Sequence, residues 1–140
     1  MARQPGGLER FLDQMADTLI GPTARCVNPS VRDEARKMMA TMSLDAMIAV
    51  QRGLMLRPDS VPMLSTISIP VCAVAGEEDQ SSTPSEMRVV ADLAPNAEFH
   101  LLEKAGHYAP LEQPDKIVTI ISKFLRAHYS PQTAQDRIAD

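Results

Sequence analysis

The sequence contains no tryptophan, three phenylalanines and two tyrosines, so its apolar contacts rest on aliphatic side chains and nine methionines. Unbranched thioethers make a pliable apolar surface that adapts to ligands of varied shape. Cysteine is nearly missing too. Cys26 and Cys72 are the only two, and Cys72 lies in a run that reads as a buried strand, which argues against a disulfide framework. Nothing near Cys26 would depress its pKa, so it reads as a plain thiol rather than a nucleophile. Basic charge is in deficit: 14 Lys and Arg against 18 Asp and Glu give a formal net charge of -4, which leaves no footprint for nucleic acid. No apolar run approaches the ~20 residues needed to cross a bilayer. The start, with Pro5-Gly6-Gly7 and no apolar stretch, does not read as a signal peptide. A cytoplasmic protein is expected, with neither nucleic acid nor membrane as a partner. Three histidines, with His100 on a strand and His128 near a helix end, show no metal-ligand spacing, so neither metal nor cofactor is expected. No internal repeat or low-complexity block occurs, and 140 residues suit one ordinary core.

What is present is organised around Ile69-Pro70-Val71-Cys72-Ala73-Val74-Ala75-Gly76-Glu77-Glu78-Asp79. Its five central apolar residues, between a proline and a glycine, suit a parallel strand covered on both faces. Thr83-Pro84-Ser85-Glu86 then combines an N-cap threonine, a proline at the first helical position and a glutamate at the capping-box position. Met87, Val90, Ala91 and Ala94 give that helix one apolar face, and Pro95-Asn96 ends it. Ala97 to Glu103 reads as a second strand. One crossover helix between two strands makes a βαβ unit with the strands parallel. In open α/β sheets, ligands gather beyond the carboxyl ends of the strands. Asp79 and His107 both stand just past such ends, the arrangement of a base and the carboxylate that orients it. Taken singly, the acidic run reads first as a solvated turn, which is what most acidic runs after a strand are.

The runs Ile67 to Asp79, Thr83-Pro84 and Ala105-Gly106-His107-Tyr108-Ala109-Pro110-Leu111-Glu112-Gln113-Pro114 resemble the C-terminal part of an α/β-hydrolase, of the esterase, enol-lactonase and haloperoxidase-like group. The resemblance is specific from about Arg57 to Leu125. It implies that Asp79 and His107 are the acid and base of a Ser-His-Asp triad, and that a small apolar ester-like compound is the substrate. The first half of that fold, with its oxyanion hole and nucleophile elbow, is expected to be missing, because no G-x-S-x-G occurs. Ser81 and Ser82 follow the acid on its own loop and are poorly placed to serve instead. The nucleophile is therefore not identifiable in this chain. The alternative is a non-catalytic oligomeric binding or interaction module derived from such a hydrolase.

Before this segment, three helices are predicted. Leu8, Phe11, Leu12, Met15 and Leu19 mark one that Gly21-Pro22 closes. Ser30 reads as the N-cap of a second, to about Thr41, and Ser43 as that of a third, which ends before Arg57-Pro58-Asp59. Asp59 caps a short turn through Leu64. By the resemblance these helices form a cap over the site, with the methionines as a pocket wall; residue by residue, a Met stripe at helical spacing reads first as core packing. Pro114 begins a last helix whose Ile117, Ile120, Ile121, Phe124 and Leu125 face the sheet. The expected fold is thus a partial, truncated α/β-hydrolase fold, mostly helical, with a small parallel sheet of two strands. Its parts are a cap-like segment over 1–66, a βαβα segment over 67–129 and a tail over 130–140. Two strands cannot shield their own backbone, so a homo-oligomer, or a missing N-terminal half as partner, is expected as well.

Overall fold

A computed structural model of the protein describes residues 5–129, and the expected tail lies outside them. Helix α1 (Gly7–Leu19) buries Leu12, Ala16 and Leu19, with Ile20 just beyond its end. Helix α3 (Ser30–Ala40) packs on α1 and brings Val31 and Ala35 against Ile20. Ion pairs line the rim of this contact. Arg32 Nε lies 2.6 Å from Asp17 Oδ1, Arg36 Nε lies 2.7 Å from Asp13 Oδ1, and Arg36 also reaches Glu9. One turn separates the arginines and one turn separates the aspartates, so the two helices match tooth for tooth. These guanidinium hydrogen bonds hold the Asp13 and Asp17 carboxyls below the usual range.

Helix α4 (Leu44–Met55) begins as expected, with Ser43 Oγ accepting the Ala46 N–H at 3.2 Å. A 3-10 turn, Val61–Thr66, follows, and Asp59 Oδ1 accepts the Val61 N–H at 2.9 Å. Two local readings need correction. Gly21-Pro22 does not simply end a helix; proline there opens a second, six-residue one, α2 (Pro22–Val27). Ser30 is not a cap, because its hydroxyl turns back to Asn28 Oδ1 at 2.7 Å and the helix already includes it.

Strand β1 (Val71–Gly76), helix α5 (Pro84–Leu93) and strand β2 (Ala97–Leu102) form the expected βαβ unit, with the strands parallel and Val71 opposite Ala97. The capping box is complete: Thr83 Oγ1 accepts the Glu86 N–H, and Glu86 Oε2 accepts the Thr83 N–H at 2.8 Å. Helix α5 covers the face that carries Ala73, Ala75 and Phe99, with the Arg88 guanidinium 4.0 Å above the Phe99 ring. The opposite face carries Cys72, Val74, Glu98 and His100, and it remains half-exposed. Hence the strand expected to be covered on both faces is fully covered on one. After β2 the chain makes a single helical turn, α6 (Ala109–Glu112), then α7 (Pro114–Tyr129). Ile117 and Ile120 of α7 pack against Leu102, Ala105 and Ala109, while Val118, Ile121 and Leu125 stay exposed. The last helix thus meets the sheet along part of its apolar stripe.

Candidate active site

The strands end at Gly76 and Leu102, and the two loops beyond them are laced together. Glu77 N–H donates to the Leu102 carbonyl at 2.9 Å, Glu78 N–H to that of Ala105 at 2.8 Å, and Lys104 N–H to Glu77 Oε2 at 2.9 Å. Gly76 permits this approach, since a Cβ there would collide with the carbonyls of Gly106 and Ala105. Lys104 takes a positive φ of 60° to turn the second loop back toward the first.

This lacing sets Asp79 and His107 side by side. Asp79 Oδ2 lies 2.9 Å from His107 Nδ1, within the hydrogen-bond reach expected from the strand ends. The other oxygen, Oδ1, accepts the N–H groups of Ser81 at 2.7 Å and Ser82 at 3.0 Å. A buried Asp79 (8% exposed) is therefore fixed by its own loop, whereas the His107 side chain keeps 34% of its surface open. An ionised carboxylate can only accept, so Nδ1 carries the proton of this bond and Nε2 is left to take one. Ser81 and Ser82 spend their backbone N–H groups on the acid and stand on no strand-to-helix elbow.

Sequence reasoning missed how the helical half is stitched to this site. The Leu19 carbonyl, at the end of α1, accepts the N–H of His107 at 2.9 Å and of Tyr108 at 3.2 Å. Glu112 Oε2 accepts from Gly21 N–H at 3.2 Å and from Gly106 N–H at 2.8 Å. Glu78 Oε2 accepts the Thr23 N–H at 2.9 Å, and its other oxygen takes the Thr23 hydroxyl. Burial pushes the Glu112 carboxyl above its ordinary range despite those two donors, and the Glu78 and Asp79 charges act in the same direction. Nothing in the sequence marks Glu112, since a carboxylate serving two distant N–H groups leaves no periodic trace.

A second cluster also went unread. The parallel register sets Cys72 opposite Glu98, with His100 two residues on and on the same face. One ligand atom from each lies within 4.8 Å of the others, although no spacing in the sequence announces this. Burial, then the Glu98 charge, pushes the Cys72 thiol up.

No protein-family profile matches the chain. Two parallel strands joined by a crossover helix, an acid after the first, a histidine after the second and helices tied across their ends are the fold of the cap and C-terminal part of an α/β-hydrolase. A thermophilic esterase from Thermogutta terrifontis superposes with a TM-score of 0.84 at 28% identity, over 89% of this chain and 46% of that one. MenH from S. aureus superposes at 0.77 and 24% identity, over 89% and 47% respectively. In sequence, a proline iminopeptidase from Heyndrickxia coagulans is 29% identical over 69 residues, which are 49% of this chain and 24% of that protein. The chain thus spans about half the length of the solved structures it matches. Among the described residues, no helix is long and apolar enough to cross a membrane.

Proposed function

We propose that the chain supplies the acid and base of a hydrolase acting on carboxylic esters or related small acyl compounds. Asp79 orients His107, and His107 is the general base. The observation that carries this reading is the 2.9 Å contact between Asp79 Oδ2 and His107 Nδ1, made by a buried carboxylate and a half-open imidazole. His107 Nε2 takes the proton of the attacking group, and Asp79 stabilises the imidazolium that results. The likeness to an esterase supports the choice of ester over other acyl substrates. With no G-x-S-x-G in the sequence, the nucleophile and oxyanion donors of a Ser-His-Asp reaction come from outside these 140 residues, or water is activated directly. An apolar groove lined by Phe11, Met15, Met39, Met42 and Met47 starts one turn of α1 before Leu19 and suits a small apolar acyl group.

We infer further that the chain works in an assembly, because among the described residues β1 is paired on one side only and Ile69 and Val118 are each 62% exposed. The test of the catalytic reading is release of p-nitrophenol from short esters by the wild type and by His107→Ala. Loss of about a hundredfold or more in the variant is expected, and equal rates overturn the assignment. A serine-reactive phosphonate is expected to leave the chain unlabelled; labelling at Ser81 or Ser82 would place the nucleophile inside it.

A further inference from the structure

We propose that Cys72, Glu98 and His100 bind a divalent cation of the zinc class on the face of the sheet opposite α5. The site is independent of the Asp79 and His107 pair and lies partway down the strands, away from their carboxyl ends. Three observations carry it. First, the register is favourable: Cys72 and Glu98 are direct cross-strand partners and His100 follows by two residues, so all three side chains leave the same face of a rigid element. Second, the spacing is that of atoms sharing an ion. His100 Nε2 and Glu98 Oε1 are 3.5 Å apart and form no hydrogen bond. Two ligands held tetrahedrally at ~2.0–2.1 Å from one zinc sit about 3.3–3.4 Å from each other. Third, His100 Nε2 is shut off from solvent yet has no hydrogen-bond partner, a condition that native proteins rarely leave uncompensated.

The donor set selects the ion. A thiolate and an imidazole are poor ligands for calcium or magnesium and good ones for zinc. Thiolate plus carboxylate supply two negative charges, which match a divalent cation, and the neutral imidazole adds none. With all three ligand atoms already within 4.8 Å, a zinc–sulfur bond of ~2.3 Å requires side-chain adjustment of about an ångström. The fourth position opens into the groove between β2 and α7, lined by Thr119, Ile120, Lys123 and Phe124, where water completes the coordination. Lys123 is the cation bordering that groove, and among the described residues no ion pair joins it to Glu98. A bound ion ties β1 to β2, the only two strands among the described residues.

The experiment is titration of the full, chelator-stripped chain with Zn2+ by calorimetry, with Co2+ as a spectroscopic reporter. One ion per chain is expected to bind saturably at micromolar concentration. Cobalt is expected to give a thiolate charge-transfer band, and zinc to raise the thermal midpoint. Cys72→Ser and His100→Ala should each weaken binding by about tenfold or more, whereas Cys26→Ser and His107→Ala should leave it unchanged. Circular dichroism in chelator checks that each variant folds. If Cys72→Ser does not fold, the cobalt band of the wild type and the half-exposed Glu98→Gln variant carry the test. Absence of saturable binding, a cobalt complex without a thiolate band, or affinity unchanged by His100→Ala overturns the site.

Discussion

Leu19 and His107 are joined through the backbone: the carbonyl that ends α1 accepts the N–H of the candidate base at 2.9 Å, and that of Tyr108 at 3.2 Å. The placement of the helical half and the placement of the imidazole are therefore one problem. Gly21 and Gly106 pass in contact beside this link, each giving its N–H to the same Glu112 oxygen. A side chain on either would force them apart.

Gly106→Ala tests this directly. Its Cβ would run into the Gly21 nitrogen and sit 2.9 Å from the Gly21 Cα and 3.0 Å from Glu112 Oε1, with backbone on one side that cannot rotate away. The expected cost is about 1–3 kcal/mol of stability, read from thermal or urea unfolding, together with a displaced His107. Gly53→Ala is the control. A Cβ there meets nothing within 4 Å, and alanine favours the α4 helix by about 1 kcal/mol over glycine. Equal stability of Gly106→Ala and wild type would mean that the contact is not tight in solution.

Asp79→Asn separates orientation from folding. An asparagine can still accept from Ser81 and Ser82 through its oxygen, but it then presents an N–H to His107 Nδ1 and favours the wrong tautomer. General-base activity should fall by as much as about ten-thousandfold, while circular dichroism and the unfolding midpoint change little. A drop in both together would mark Asp79 as a fold residue alone.

The βαβ unit was legible because local chemistry states it: Thr83 and Glu86 cap each other, and apolar runs of strand length flank the helix. The Asp79 and His107 pairing followed, since parallel strands joined by one crossover end on the same side. What escaped depends on long-range closure. Helix α2 is six residues with no buried member, too short for periodicity to reveal. Glu112 and Glu78 each serve N–H groups that only the fold brings near. Cys72, Glu98 and His100 meet through register, which a sequence cannot fix before the strands are paired. Ser30 shows the opposite error, a good capping residue pre-empted by a nearer partner in Asn28.

Glu112 predicts a pH effect with a definite sign. Burial raises its carboxyl above the ordinary 4.5, so between that value and the raised one the folded chain holds a proton that the unfolded chain has released. Stability from this group therefore falls as pH rises through that window, and its cost is constant above it. Asp17 behaves oppositely and lower. Its hydrogen bond to Arg32 depresses it below 3.8, so its contribution is present above 3.8 and is lost as pH falls through the folded value. Unfolding midpoints of wild type and Glu112→Gln, measured across mildly acidic pH, should converge toward the acid end and separate as pH rises, with the variant the more stable. Parallel curves would exclude a raised Glu112.

Among the described residues β1 bonds to β2 alone, so its outer edge offers unpaired N–H and C=O groups along the strand. Such edges are covered or paired in proteins that stay soluble. Among the described residues, the helical half is hydrogen-bonded to the sheet end through Leu19, Gly21 and Thr23, and Val71, Cys72 and Val74 remain half-exposed. Large apolar side chains are exposed as well, with Ile69 and Val118 each 62% exposed and Leu125 49%. Burying such surface stabilises by about 25 cal/mol per Å2, and a two-fold copy of the same surface is the simplest way to bury it. Light scattering after gel filtration should give at least twice the 15.3 kDa of one chain. A mass of one chain at micromolar concentration would sink the assembly, and Val118→Lys should shift an assembled form toward that mass if α7 lies in the contact.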